Sequence, residues 1–118
     1  MRDEIKKHLF DISEAISDIE DFVADKEYVD YEESSLLQAA IERKFEIIGE
    51  ALIRIRNIDS EFIENITDYR RIIGFRNVIA HGYDIIENNM VWSAIKNHVP
   101  KLKDDVKKLA HVGFKMEH

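Results

Sequence analysis

A helical period of apolar side chains near the N-terminus most strongly constrains how this chain can fold. Apolar residues recur there at steps of three and four positions. That spacing puts them on one stripe of a helix, and it predicts an amphipathic helix from about Asp3 to Asp25. The residues on the stripe are Ile5, Leu9, Ile12, Ile16, Ile19 and Val23. Because such a stripe must be buried, the helix needs another amphipathic element to pack against.

Further helical segments are predicted downstream from the same period and from capping residues. They are a long helix from a cap at Ser34 or Ser35 to about Arg56, a short one over Glu61–Ile66, one from Tyr69 to about Ala80 after a cap at Thr67 or Asp68, and a last one from Asn88 or Asn89 with Pro100 in a first turn or at a kink. Four Gly and one Pro in 118 residues leave little that would break these helices. The chain is therefore predicted to be one all-α domain over residues 1–118, a compact up-down bundle of four to five helices.

The charge pattern argues against a protein that coats nucleic acid. The formal net charge is −7, and residues 1–35 alone carry 12 acidic and 4 basic side chains. Because a polyanion needs a basic surface, we expect one to bind only near Arg70, Arg71 and Arg76 or beside the Lys-rich last helix.

Several protein classes are excluded by what the sequence lacks. The chain has no cysteine, which excludes disulfides and thiolate metal sites. It has no His-x3-His or His-Glu-x-x-His spacing and no Gly-rich phosphate loop, so neither a metal nor another cofactor is predicted. No apolar run approaches the roughly 20 residues needed to cross a bilayer, and the start lacks a signal-peptide core. We therefore expect a cytoplasmic protein without membrane association.

The residues most suited to chemistry are concentrated in positions 76–83, with the sequence RNVIAHGY. Arg76 can neutralise a phosphate and bind two of its oxygens at any physiological pH. His81 can take or give a proton near neutral pH, and Tyr83 adds a hydroxyl. Asn77 can orient a phosphate or hold Arg76 in place. Together these residue types are suited to work on a phosphodiester.

The end of the motif helix decides whether these side chains can meet. On a continuous helix a step of five residues turns by about 140°, so Arg76 and His81 would point apart. Gly82 is the predicted left-handed cap, and a helix ending near His81 would let the imidazole turn toward Arg76.

Other notable residues are given structural interpretations. Gly49 lies in mid-helix, where its expected use is the close approach of another backbone. Trp92 is interpreted as a core residue. The histidines outside the motif are interpreted as surface residues, among them His98.

Several stretches of the sequence together carry a resemblance to a known family. They are residues 76–83, the segment IIGEA at 47–51, the pair Val91-Trp92, and the segment VPKL at 99–102. In these stretches the chain resembles the HepT family of HEPN-domain toxins, and the likeness covers nearly the whole chain in order. Residues 64–69 depart from it, because they lack the turn with Pro and Trp found in many members.

The resemblance implies a helical bundle that pairs as a homodimer and acts as a metal-independent endoribonuclease. This would be the toxin of a type VII toxin–antitoxin system, with a minimal nucleotidyltransferase called MntA as the antitoxin. Arg76 and His81 would match the catalytic pair of the family's R-x4-6-H motif, and Asn77 its polar position after the Arg. Tyr83 would match the tyrosine that the antitoxin adenylylates, which adds a negative group and blocks the cleft.

That activity agrees with what RNA cleavage without a metal requires. The reaction needs a base for the 2′-hydroxyl, an acid for the 5′-oxygen and positive charge for the phosphorane. Because one His per chain is too few, we expect a twofold dimer with the motif helices at its seam. The RNA substrate, an mRNA or a tRNA, is not specified by these residues.

Two other functions stay open at this point. A non-catalytic helical adaptor or nucleotide-binding subunit could dock a minimal nucleotidyltransferase through the acidic first helix. Alternatively, a dimeric helical module could keep His81 buried and hydrogen-bonded for structural reasons alone.

Overall fold

The computed structural model describes residues 2–81 and 87–116, without the side chains of residues 112–116. The described residues form six α-helices and one short 3-10 helix, and they contain no strand. The helices are α1 Asp3–Val23, α2 Tyr28–Glu33, α3 Ser35–Ile58, the 3-10 helix Phe62–Asn65, α4 Tyr69–His81, α5 Asn88–Asn97 and α6 Val99–Met116. The predicted all-α bundle is confirmed. Each described helix is too short or too polar to cross a membrane.

The helices α1 and α3 form the centre of the bundle. Every apolar residue predicted on the stripe of α1 is buried. The predicted face of α3 is also buried, except for Leu37, which is only partly covered. Because α6 packs along α1 and α4 packs along α3, the motif helix lies directly against the core.

The polar stretch predicted after α1 contains the short helix α2. A capping box holds its start, in which the Glu27 amide donates to Asp30 Oδ2 at 2.7 Å. Its one buried residue, Tyr31, has its ring centroid 5.8 Å from that of Trp92. Six residues with a single buried side chain show no helical period, which is why the sequence pattern does not predict α2.

Two boundaries that the sequence leaves open are decided by local contacts. Ser34 caps α3, because its Oγ accepts a hydrogen bond from the Leu37 amide at 3.1 Å. The last predicted helix is in fact two, α5 and α6, which meet at His98. Pro100 is the second residue of α6, where the missing N–H removes no intrahelical bond.

The hydroxyl of Tyr31 is buried without a hydrogen-bond partner among the described residues. Burial, together with the nearby Glu42 and Tyr28, raises the pKa of Tyr31, so the group stays neutral. Tyr31→Phe keeps the ring and removes the unsatisfied group, so the free energy of unfolding is expected to hold or to rise by up to about 1 kcal/mol. Tyr69→Phe should instead lower it, because the Tyr69 hydroxyl donates to Glu64 Oε1 at 2.8 Å. Urea unfolding checks both, and a destabilised Tyr31→Phe would contradict the argument.

Candidate active site

The start of the motif helix α4 is fixed by the two residues that precede it. Asp68 has a φ of 58°, in the left-handed region that Asp tolerates better than most residues. Its carbonyl accepts hydrogen bonds from the amides of Arg71 and Ile72, at 3.0 and 3.1 Å, and so begins the helix. The Thr67 amide donates to Asp105 Oδ2 of α6 at 2.9 Å. The position of α4 along α3 is therefore set partly from α6.

Asp105 makes this connection as a buried carboxylate. It is 8% exposed, and its Oδ1 accepts a hydrogen bond from Lys101 Nζ at 3.0 Å. Burial raises the pKa of Asp105, but the hydrogen bonds from Thr67 and Lys101 outweigh it, so the pKa lies below its usual value. Sequence reasoning does not find Asp105, because its partner Thr67 is 38 positions away.

Asp105→Asn is expected to lower the free energy of unfolding at neutral pH by about 1–3 kcal/mol, because the buried hydrogen bonds lose their charge. The folded-state pKa is below the unfolded value of about 3.9, so the carboxylate stabilises the fold above that pH. This contribution is lost as the pH falls through the folded-state pKa, and the difference from wild type should shrink below about pH 4.

Urea unfolding at pH 7 and at pH 3 measures this difference. Asp104→Asn is the matched control, because Asp104 is half-exposed and pairs with Lys101 and Lys108 on the surface. Its effect should be smaller at both pH values, since exposed ion pairs contribute little. A destabilisation by Asp105→Asn that does not change with pH would contradict the role of the charge.

Glu64 neutralises the first arginine of the predicted cationic cluster. Its Oε1 accepts hydrogen bonds from the Tyr69 hydroxyl at 2.8 Å and from Arg70 Nη2 at 2.9 Å. Within the described residues, no carboxylate lies within ion-pair distance of Arg71 or Arg76. The cations of α4 that remain for a polyanion are therefore Arg71 and Arg76.

Arg76 lies against α3 in the space left by a glycine. A Cβ added to the buried Gly49 would collide with Arg76 Cβ and would lie 2.5 Å from its Cγ and 3.4 Å from its Cδ. The stem of Arg76 therefore fills the volume that any other residue at position 49 would need. The expectation that Gly49 admits another backbone is wrong, because what it admits is the side chain of the motif arginine.

The guanidinium of Arg76 is positioned by a neutral group. Its Nη1 donates to Asn77 Oδ1 at 3.1 Å, and its Nε is buried without a partner among the described residues. The pKa of Glu50 is lowered, mainly by a hydrogen bond from Arg54 at 3.0 Å and further by the charge of Arg76. Because Asn77 carries no charge, the guanidinium keeps its own for an anionic ligand.

His81 is the last residue of α4, and its side chain is exposed. This exposure overturns the alternative in which a buried His81 serves only the fold. Because the helix continues through His81, the five-residue step places it about 140° around the axis from Arg76. Asn77 lies four residues before His81 and so on the same face of α4. Asn77 therefore contacts one member of the motif pair and shares a face with the other.

Two of the predicted features fall on residues outside the description. Tyr83, the predicted modification site, and Gly82, the predicted cap, are both among them. Across residues 2–81 and 87–116, no three Asp, Glu or His side chains are grouped as metal ligands would be.

Known proteins similar to this chain point to one family. The model of the family described as "Ribonuclease HepT-like" matches residues 12–109. The chain belongs to the HepT-like ribonuclease family. The match includes Gly49 on α3 and Arg76, Asn77 and His81 on α4.

Relatives of this HepT-like chain are similar over most of its length. "Probable ribonuclease HepT" of Thermococcus cleftensis is 33% identical over 104 residues, which are 88% of this chain and 94% of that protein. "Putative RNase MJ1380" of Methanocaldococcus jannaschii is 33% identical over 103 residues, or 87% of this chain and 94% of that protein. "Gamma-glutamylcyclotransferase and putative RNase MJ0434" of the same organism is 34% identical over 92% of this chain, which spans 49% of that longer protein. No solved structure matches the chain significantly.

Proposed function

We propose that this HepT-like chain is a metal-independent endoribonuclease, the toxin of a HepT/MntA toxin–antitoxin pair. Its family and the names of its relatives support ribonuclease activity. The observation that carries the proposal is the setting of Arg76. Its stem fills the space beside Gly49, and its guanidinium is held by the neutral Asn77. Arg70, in contrast, is neutralised by Glu64, as an arginine with a structural role would be.

In the proposed reaction the 2′-hydroxyl oxygen attacks the adjacent phosphorus, and the bond from phosphorus to the 5′-oxygen breaks. His81 takes the proton of the 2′-hydroxyl or gives a proton to the leaving 5′-oxygen. Arg76 stabilises the negative charge that develops on the phosphorane oxygens. Asn77 keeps the guanidinium in place. The products are a 2′,3′-cyclic phosphate and a 5′-hydroxyl end.

A homodimer would complete this site. Within one chain the helix geometry sets Arg76 and His81 about 140° apart, and one histidine supplies only one of the two proton transfers. A twofold pairing across the exposed face of α4 would bring two copies of each residue to one cleft. That face has room for a second helix, because Gly74 is exposed and a Cβ built on it has no heavy atom within 4 Å.

The proposed control of the toxin is adenylylation of Tyr83 by an MntA-like nucleotidyltransferase. Tyr83 follows His81 by two residues in the sequence. An AMP group attached there would add bulk and a negative phosphodiester near the catalytic pair. Because RNA phosphates carry the same charge, the modified protein would repel its substrate.

The test is cleavage of total cellular RNA in EDTA by wild type and by His81→Ala, with the intact mass of both proteins recorded. We expect the wild type, free of an AMP adduct, to cut RNA and leave cyclic phosphate ends, and the variant to fail. Tyr83→Phe should resist adenylylation by the partner. Cleavage that disappears in EDTA would overturn metal independence, and a Tyr83→Phe protein that is still modified would overturn the site.

A non-catalytic adaptor is the alternative if the unmodified wild type does not cut RNA. Its docking surface for the nucleotidyltransferase would be the acidic side of α1. In that role Arg76 and His81 would bind a nucleotide or only support the fold, and His81→Ala would leave the partner's binding unchanged.

A further inference from the structure

A pocket beside the motif helix has a floor that no contact in the proposed reaction uses. It has a volume of about 420 Å³ and is lined by residues of α3, α4 and α5. Its aromatic floor is formed by Phe45 and Phe75, whose rings meet edge to face at 87° with centroids 5.1 Å apart. The pocket therefore offers an apolar surface of aromatic rings next to α4.

Neutral polar groups surround this floor. Asn89 and Ser93 of α5 and His98 at the junction with α6 line the pocket. Ser93 Oγ accepts a hydrogen bond from Asn97 Nδ2 at 3.0 Å, so its own hydroxyl hydrogen stays able to donate. His98 is partly buried here, which differs from the sequence-based interpretation of a surface residue. Donors and acceptors around an aromatic floor suit the edge of a nucleobase, which carries both.

The mouth of the pocket combines a cation with an exposed apolar side chain. Arg71 lines it from α4, and no described carboxylate pairs with this guanidinium. Met90 also lines it and is 54% exposed. A phosphate beside a flat ring matches this combination, because the arginine binds the phosphate while the ring covers apolar surface.

We propose that this pocket is a subsite for one nucleobase of the RNA strand, with Arg71 bound to a neighbouring phosphate. The proposal rests on the proposed ribonuclease function and extends it to the choice of substrate. Arg71 and Arg76 lie on the same helix, about 7.5 Å apart along its axis, so one short single strand reaches both. A base held in the pocket would set a preference for one nucleotide next to the cut.

Met90 provides a direct probe of the pocket. The chain has three methionines, and the other two, Met1 and Met116, are near the ends of the sequence and serve as references. The full-length His81→Ala protein, labelled with carbon-13 in its methionine methyl groups, is titrated with each of the four nucleoside 5′-monophosphates. The Met90 signal is expected to shift under the ring current of the bound base, to different extents for the four bases.

Three variants test the assignment of the pocket. Ser93→Trp fills it and should weaken nucleotide binding by roughly tenfold or more. Ser17→Trp is the matched control, an equally exposed serine in the separate groove between α1 and α6, and it should bind like its parent. Arg71→Gln should weaken binding of the monophosphates but not of the nucleosides, because only the phosphate loses its partner.

The outcomes separate this inference from the ribonuclease proposal. A Met90 signal that no nucleotide moves, in a protein that still binds an RNA oligonucleotide, would overturn the pocket alone. A Met90 signal that moves when the protein is only diluted would show that a second copy covers the pocket, which also overturns it. Wild type that does not cleave RNA, while nucleotides still shift Met90, would overturn the nuclease and support a nucleotide pocket.

Discussion

A mixture of Arg76→Ala and His81→Ala proteins is expected to cleave RNA, although each variant alone should lose about 10²–10⁴-fold in rate. The single losses follow because one variant lacks the charge that stabilises the phosphorane and the other lacks the proton-transfer group. In the proposed dimer each cleft takes Arg76 from one chain and His81 from the other. A heterodimer of the two variants therefore keeps one intact pair out of two.

Initial rates after subunit exchange measure this recovery. Half of the dimers in an equal mixture are heterodimers, so the mixture should reach about a quarter of the wild-type rate at the same total concentration. The matched control mixes wild type with the double variant Arg76→Ala/His81→Ala. If the pair forms across the dimer, this control also retains about a quarter of the rate, and if the pair forms within one chain it retains about a half. A mixture of single variants that stays inactive would refute pairing across the dimer.

Gly49→Ala is expected to reduce both stability and activity, against the usual effect of this substitution in a helix. Ala is favoured over Gly in a helix interior by about 1 kcal/mol. At this position the added methyl collides with Arg76 Cβ, which is close to the backbone of α4 and cannot swing aside. Overpacking of this kind costs about 1–3 kcal/mol. A displacement of Arg76 by about 1 Å would lower the rate of cleavage by roughly 10²-fold.

Gly74→Ala is the matched control for stability, because its added methyl meets nothing within 4 Å. It should raise the free energy of unfolding by up to about 1 kcal/mol, in line with helix propensity. Urea unfolding of the two variants at one protein concentration, together with RNA cleavage by Gly49→Ala, provides the measurement. If Gly49→Ala were as stable and as active as wild type, the space beside Arg76 would not be needed to place it.

The central helices could be predicted from the sequence because burial leaves a direct trace in the pattern of residues. The stripe from Ile5 to Val23 is buried along its whole length. The helix α2 has too few residues to show a period, and its position depends on the packing of Tyr31 against Trp92. The split between α5 and α6 likewise depends on tertiary contacts, since Pro100 is compatible with a first turn and with a kink.

The candidate site divides in the same way. Arg76, Asn77 and His81 could be selected from the sequence, because their chemistry and their spacing are visible in one short stretch. The contact between Gly49 and Arg76 joins two helices, and no pattern within either of them records it. The pocket beside α4 was missed for the same reason, because its lining comes from three different helices.

The two halves of the motif are supported differently, and this has a consequence for kinetics. Arg76 is packed against the buried part of α3, whereas His81 is the last residue of its helix, where helices fray first. Warming the protein below its unfolding temperature would therefore loosen the imidazole before the guanidinium. For the proposed ribonuclease, kcat would decline while KM stayed nearly constant, so a heated toxin would still hold RNA that it no longer cuts.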